Sequence, residues 1–171
     1  MKRFVWSKTL MVHTLLIVGI ISFVLSGQVQ AALYCNAGNC AHVQSENVLV
    51  SPIIYYGWGM DFIVKDFNYT WAHIPVPLPY TATKGVNYVQ AEVQVNGTYG
   101  KVSEVHVYSG GALLGKFNVS WVGPNNNYFV KLNFGSVKTV SGPISISLKC
   151  ETGDGSTRFT IKRACANLVN K

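Results

Sequence analysis

The stretch ISISLKC, residues 144–150, places Ile144, Ile146, Leu148 and Cys150 on one side of an extended chain and Ser145, Ser147 and Lys149 on the other. A period of two is the signature of a half-buried β-strand, because successive side chains of a strand point to opposite faces. The same alternation recurs in QAEVQV (90–95), with Ala91, Val93 and Val95 opposed to Glu92 and Gln94. In KFNVSW (116–121), Phe117, Val119 and Trp121 oppose Lys116, Asn118 and Ser120. Further runs stand at 47–56, 69–74, 104–108, 128–134 and 157–162, separated by NG, SGG, GPNNN, SGP and GDG. Those separators are turn chemistry rather than helix caps. No long amphipathic helix is legible. Eight or nine short strands at this spacing predict an all-β protein, an antiparallel β-sandwich of jelly-roll type.

The amino terminus is of a different kind. MKRFVWSK is basic, residues 10–25 are apolar, and Val29 and Ala31 supply the small residues before a cleavage site. This is the anatomy of a secretory signal, and it predicts a signal peptide over 1–31 with cleavage after Ala31. The rival is an uncleaved anchor, since the apolar run is only slightly shorter than a bilayer span. The rest divides into a cysteine-containing lead-in (32–46) and one β-sandwich domain (47–171), with no internal repeat or linker. The expected location is extracellular or periplasmic, with no membrane association once the signal is removed. The chain carries +7, and 14 basic residues less Lys2, Arg3 and Lys8 leave 11 against 7 acidic, a net charge of +4. The basic residues are scattered singly, which argues against a nucleic-acid groove.

Four cysteines follow the signal: Cys35, Cys40, Cys150 and Cys165. An even number in an exported chain predicts two disulfides, with three connectivities open. Cys35 with Cys40 would leave Cys150 with Cys165. If residues 144–150 and 157–165 form a hairpin about 153–155, those last two are too far apart to bond. The alternative joins Cys35 or Cys40 to Cys165. The spacing does not suit a zinc site, so neither metal nor cofactor is expected. The proline-rich run 74–85 cannot pair regularly and predicts a crossover between sheets.

Three segments, GWGMDF (57–62), WAHIPVPLP (71–79) and VSEVHVYSGGALLGKF (102–117), in this order resemble a family of secreted, β-rich proteins of unknown function. That family pattern runs GWG-x-DF, W-x-HIP-x-P and a VHVY-x-G hairpin, and the resemblance covers about residues 56–148. Leu78 departs from it, standing where a threonine or similar polar residue is expected, and the cysteine-bearing ends are peculiar to this chain. The resemblance implies the fold and transfers no catalytic residue.

Residue chemistry points to binding more than to catalysis. There is no G-x-S-x-G elbow, no H-E-x-x-H and no phosphate-binding glycine loop. Asp61, His73 and His106, with Glu92 and Glu104 as lesser candidates, are the groups for acid, base or metal work, and nothing in their spacing brings them together. Aromatic side chains offer flat apolar faces for sugar rings, and tyrosine adds a hydroxyl. Trp58, Tyr55 and Tyr80, with Asp61, form the candidate ligand site, for a glycan or a cell-surface partner. Trp71 and Trp121 read as core, and Trp58 as a structural residue unless its indole proves exposed. Asn68, Asn96 and Asn118 stand in N-x-S/T triplets, and Asn118 faces outward by strand phase. The leading expectation is a non-catalytic binding or interaction module. A self-assembling extracellular subunit is the alternative, and a hydrolase using Asp61 with a histidine is the third reading.

Overall fold

The computed structural model describes residues 31–78 and 84–170. The signal-peptide expectation and Tyr80 therefore lie outside the described residues. Eleven strands form among those described: β1 (Ala32–Ala37), β2 (His42–Val43), β3 (Ile54–Tyr56), β4 (Gly59–Val64), β5 (Tyr69–Val76) and β6 (Lys84–Asn96) come first. They are followed by β7 (Gly100–Ser109), β8 (Ala112–Val122), β9 (Asn126–Thr139), β10 (Ile144–Thr152) and β11 (Thr157–Asn170). The long strands and β3 fall in the runs that the alternation marks, and β1, β2 and β4 add to them. Strands as brief as β2 carry too few residues for a period to be read.

All pairings are antiparallel, in two sheets. One runs β3-β4-β11-β6-β9, with β1 also paired to β11, and the other runs β2-β5-β10-β7-β8. The protein is an antiparallel β-sandwich. The segment expected as a lead-in gives one strand to each sheet, β1 and β2, and so is built into the sandwich.

The inward positions make the core. Phe62 and Phe159 stack at 5.7 Å, and Ile74, Ile146, Leu148 and Ile161 are fully buried around them. Each such side chain contributes about 1.5–3 kcal/mol on burial. A one-residue slip of β10 would turn Ile144, Ile146 and Leu148 outward together, so this register is strongly fixed. Strands β10 and β11 belong to opposite sheets, so the turn at 153–155 is a sheet-to-sheet arch and not a hairpin. Strands β5 and β6 are likewise in opposite sheets, as the proline-rich run predicts.

Cys35 and Cys165 face one another directly in the β1–β11 register and form a disulfide, with Cα atoms 4.0 Å apart. The two-disulfide expectation is corrected, because Cys40 and Cys150 are free. Cys150 points into the core and Cys40 out to solvent, so the two thiols do not meet. Burial pushes the Cys150 thiol up, far from the thiolate form that reacts.

GWGMDF forms the turn and return strand of the β3–β4 hairpin. Neither Gly57 nor Gly59 takes a positive φ. Gly59 is required for another reason: a Cβ there would lie 2.7 Å from the Ile161 carbonyl oxygen, whereas one at Gly57 would meet nothing within 4 Å.

Candidate functional site

On the five-stranded sheet, β5 turns Thr70, Ala72, Ile74 and Val76 inward. Tyr69, Trp71, His73 and Pro75 therefore share the outer face. Trp71, expected in the core, is instead half-buried on this face, because it alternates with the inward Thr70 and Ala72. Trp121 does fill the core, at 5% exposure, and stacks on Tyr128 of the opposite sheet at 5.9 Å.

Strand register arranges this face in rows. One row reads His42, His73, Ser147, His106, Lys116 across β2, β5, β10, β7 and β8. The next reads Trp71, Lys149, Glu104, Asn118 across β5, β10, β7 and β8. Beyond them lie Pro75, Ser145 and Tyr108 at one end and Tyr69, Glu151 and Lys101 at the other.

The rows hold one another. Glu104 accepts from Lys116 Nζ at 2.7 Å, lies 3.1 Å from His106 Nε2 and accepts from Lys149 Nζ at 3.3 Å. The Lys116 hydrogen bond, with those of His106 and Lys149, outweighs burial and holds the Glu104 carboxyl down to about 2. His106 Nδ1 lies 3.3 Å from the Tyr108 hydroxyl, and the Trp71 ring sits 4.6 Å from the His106 ring. His73 Nδ1 is hydrogen-bonded to Ser147 Oγ at 2.7 Å, and His42 stacks on His73 at 4.9 Å. Burial, and then the nearby His42, lower the His73 pKa. A hollow of about 500 Å³ opens on these rows, lined among others by Trp71, His73, His106, Tyr108 and Ser147.

The residues singled out in the sequence fall elsewhere. Trp58 stands at the tip of the β3–β4 hairpin, 54% exposed, with its ring parallel to Tyr56 at 5.0 Å. The default reading of Trp58 as structural is thus corrected, because its glycine neighbours leave the indole uncovered. Tyr55 is also exposed there. Asp61, the fourth member of the candidate ligand site, lines a separate hollow of about 20 Å³ with Ile54 and Arg158, and its Oδ1 is buried without a hydrogen-bond partner among the described residues. It belongs to the six-stranded sheet, while His73 and His106 belong to the other, so the Asp61–histidine pair of the hydrolase reading does not form.

Asn118 is exposed on β8, Asn68 bonds the Asp66 carbonyl, and Asn96 accepts from Gln94. Among the described residues no group of three or more metal-ligating side chains gathers, and no helix is long and apolar enough to cross a membrane. The signal for the face was present in YTWAHIPV: the phase that buries Ala72 and Ile74 sends Trp71 outward with His73. What the sequence lacked was strand order, which alone brings β7 and β10 beside β5.

No protein-family model and no curated protein matches the chain. Among solved structures it is similar to TmCBM61 in complex with beta-1,4-galactotriose, at 15% identity and a TM-score of 0.47, over 81% of this chain and 88% of that one. It is also similar to the CBM36-1 domain of a multidomain xylanase from the hindgut metagenome of Trinervitermes trinervoides, at 11% and 0.47, over 80% and 96%. A third is the carbohydrate-binding module CBM36 in complex with calcium and xylotriose, at 10% and 0.45, over 76% and 96%. At these scores the likeness carries no ligand and no residue role to this chain.

Proposed function

We propose that the protein is an exported, non-catalytic binding module that takes a carbohydrate on the outer face of its five-stranded sheet. The observation that carries this reading is the half-buried Trp71 ring lining a hollow whose polar groups already hold one another in place. A pyranose ring stacks its C–H face on an indole, and its hydroxyls need donors and acceptors around the rim. Here Gln44, His106 and Tyr108 line the hollow and supply both, and Glu104, itself bonded by Lys116, holds His106 in place, which reduces the ordering cost of binding. The Ser147 hydroxyl, buried under the rings and bonded to His73, is not presented as a nucleophile. Export with signal cleavage after Ala31 fits a Cys35–Cys165 bond, which persists in an oxidising compartment.

The test is electrophoresis of the protein through gels containing neutral and acidic polysaccharides. Retardation by at least one, lost in Trp71→Ala with the melting temperature kept, is the expected result. Equal mobility in every gel would sink the reading. The exposed Trp58 and Tyr55 are a second stacking surface in this proposal, and Trp58→Ala tests it in the same gels.

A second reading, self-assembly, has its own support. Strands β8 and β9 close the two sheets at one side and, among the described residues, are each paired along one edge alone. Unpaired edges template pairing with another chain, although Lys116 on β8 and Lys131 on β9 are the kind of charge that discourages it. Light scattering on the secreted chain separates the readings, with a monomer expected for the binding module.

A further inference from the structure

Three turns meet at the end of the sandwich nearest the row of Tyr69, Glu151 and Lys101. They and the start of β5 carry exposed aromatic side chains for which the core has no use: Phe67 is 74% exposed, Tyr99 59% and Tyr69 56%. Together with Asn68, Lys101 and Glu151 they line a hollow of about 430 Å³. Phe67 has φ +51°, in the left-handed region that a bulky side chain rarely occupies.

That conformation is held from outside the turn. Phe67 N–H donates to the Gly153 carbonyl at 2.8 Å, Thr152 N–H to Asn68 at 3.0 Å, and Gly153 N–H to Tyr99 at 3.0 Å. Backbone bonds thus stitch all three turns together and fix the aromatics in an open position. A strained, exposed aromatic kept in place by its surroundings is a pointer to function. The Lys101–Glu151 ion pair, 3.0 Å, borders the hollow with one donor group and one acceptor group.

This hollow is continuous with the outer face. Tyr69 lines it and also stands one strand position beyond Trp71 on the same side of β5, and Lys149 lies over the Tyr69 ring at 5.0 Å while bonded to Glu104. From the Tyr69 row to the Pro75 row is three steps of two residues, about 20 Å.

We infer that Phe67 and Tyr99 form a second sugar subsite, bordered by Tyr69 under Lys149, and that the ligand is an extended glycan chain lying along β5 from this hollow to Tyr108. A single terminal sugar would use one hollow only. The inference rests on the carbohydrate reading of the face. The geometry favours a polymer because two aromatic hollows lie in line on one face, with a continuous polar strip of Lys149, Glu104 and Glu151 between them. The substrate class is therefore a linear polysaccharide.

The experiment uses the full chain and its Phe67→Gly, Tyr99→Ala and Trp71→Ala variants. Phe67→Gly retains the left-handed turn, and Tyr99→Ala alters an exposed side chain, so both keep the fold. A gel panel of xylan, galactan, glucomannan and mixed-linkage β-glucan selects a polysaccharide. Calorimetric titration then compares its trisaccharide and hexasaccharide fragments. The expected result is tighter binding of the hexasaccharide, with about a tenfold loss of that affinity in Phe67→Gly and Tyr99→Ala and no change for the trisaccharide. Equal affinity for both lengths, unaltered in these two variants while Trp71→Ala still abolishes binding, would overturn the second subsite and leave the face intact. Loss in Phe67→Gly and Tyr99→Ala with no effect of Trp71→Ala would overturn the extended-chain inference and the face reading together, leaving an end-on site. No retardation of the wild-type chain by any of the four, or by the acidic polysaccharides of the first test, would overturn both.

Discussion

The two outer faces of this sandwich are made from the same alternating pattern and have come to opposite ends. On the six-stranded sheet, aromatic rings are capped by cations: Lys131 lies 3.8 Å over Tyr88, and the Arg163 guanidinium 4.5 Å over Phe129. Glu92 is bonded by Arg163 at 2.7 Å and lies 3.7 Å from Lys162, and the Cys35–Cys165 bond ties β1 to β11. On the five-stranded sheet the carboxylates Glu104 and Glu151 gather the lysines, and the one ring of this sheet among the described residues with a cation over it is Tyr69, under Lys149 at 5.0 Å. No cation caps the Trp71 indole among the described residues. A cation over a ring uses the π-face that a sugar would need. One face is therefore stapled, and the other is left with an aromatic surface inside a fixed polar frame.

The sharpest way to break this contrast is to remove the staple. Cys35→Ser should lower stability by about 2–4 kcal/mol, since the bond closes a very long loop. Denaturant melts would measure it, and polysaccharide retardation under native conditions should be unchanged, because the disulfide serves the other sheet. Loss of binding in the folded variant would mean that the two faces are not independent.

Next in size is the aromatic swap. Trp71→Ala should weaken polysaccharide binding by about 2 kcal/mol or more, the usual cost of truncating a buried aromatic anchor. Phe129→Ala, on the capped face, should leave retardation unchanged. Equal effects of the two would dissolve the distinction between the faces.

A smaller effect separates the two glycines of the hairpin. Gly59→Ala should cost about 1–3 kcal/mol, because backbone must shift away from the new Cβ. Gly57→Ala should stay within about 0.5 kcal/mol, as an open surface position does. Thermal melts of both variants give the comparison directly.

The smallest effect is in pH. His73 has a lowered pKa, through burial and then His42, so its contribution to stability is fully present above its unfolded value near 6.5 and is lost as pH falls through the folded value. Glu104 acts in the same sense at lower pH: its contribution is present above about 4.5 and is lost as pH falls towards about 2. Stability of the five-stranded face should therefore decline first below about pH 6.5. His73→Gln should remove that first step from a pH series of melts, and an unchanged profile would show that His73 is not its source.

How far the sequence reached differs from residue to residue. Residues 144–150 were legible in full, because inward and outward positions alternate without a break and one slip would expose several apolar side chains at once. Trp71 was misread, because size and apolarity favour the core when phase is not weighed against them; Ala72 and Ile74 beside it held the answer. Trp58 was named as a candidate, but its exposure was not readable, since flanking glycines remove cover without saying where the indole then lies. Phe67 was not singled out, for its left-handed backbone depends on a bond to Gly153, more than 80 residues away in the chain. The cysteine count was read as two bonds, and only the register of β1 on β11 selects the one that forms.

The sequence by itself determined the long strands, the two-faced character of each, the turn positions between them and the sandwich class. Those are local properties, set by alternation and by turn residues within a few positions. Tertiary structure decided which strands are neighbours, and with that which outward residues share a row. His42, His73, Ser147, His106 and Lys116 come from five separate segments and meet because antiparallel register aligns β2, β5, β10, β7 and β8. A site assembled across strands depends on pairings between distant segments, and no local pattern encodes them.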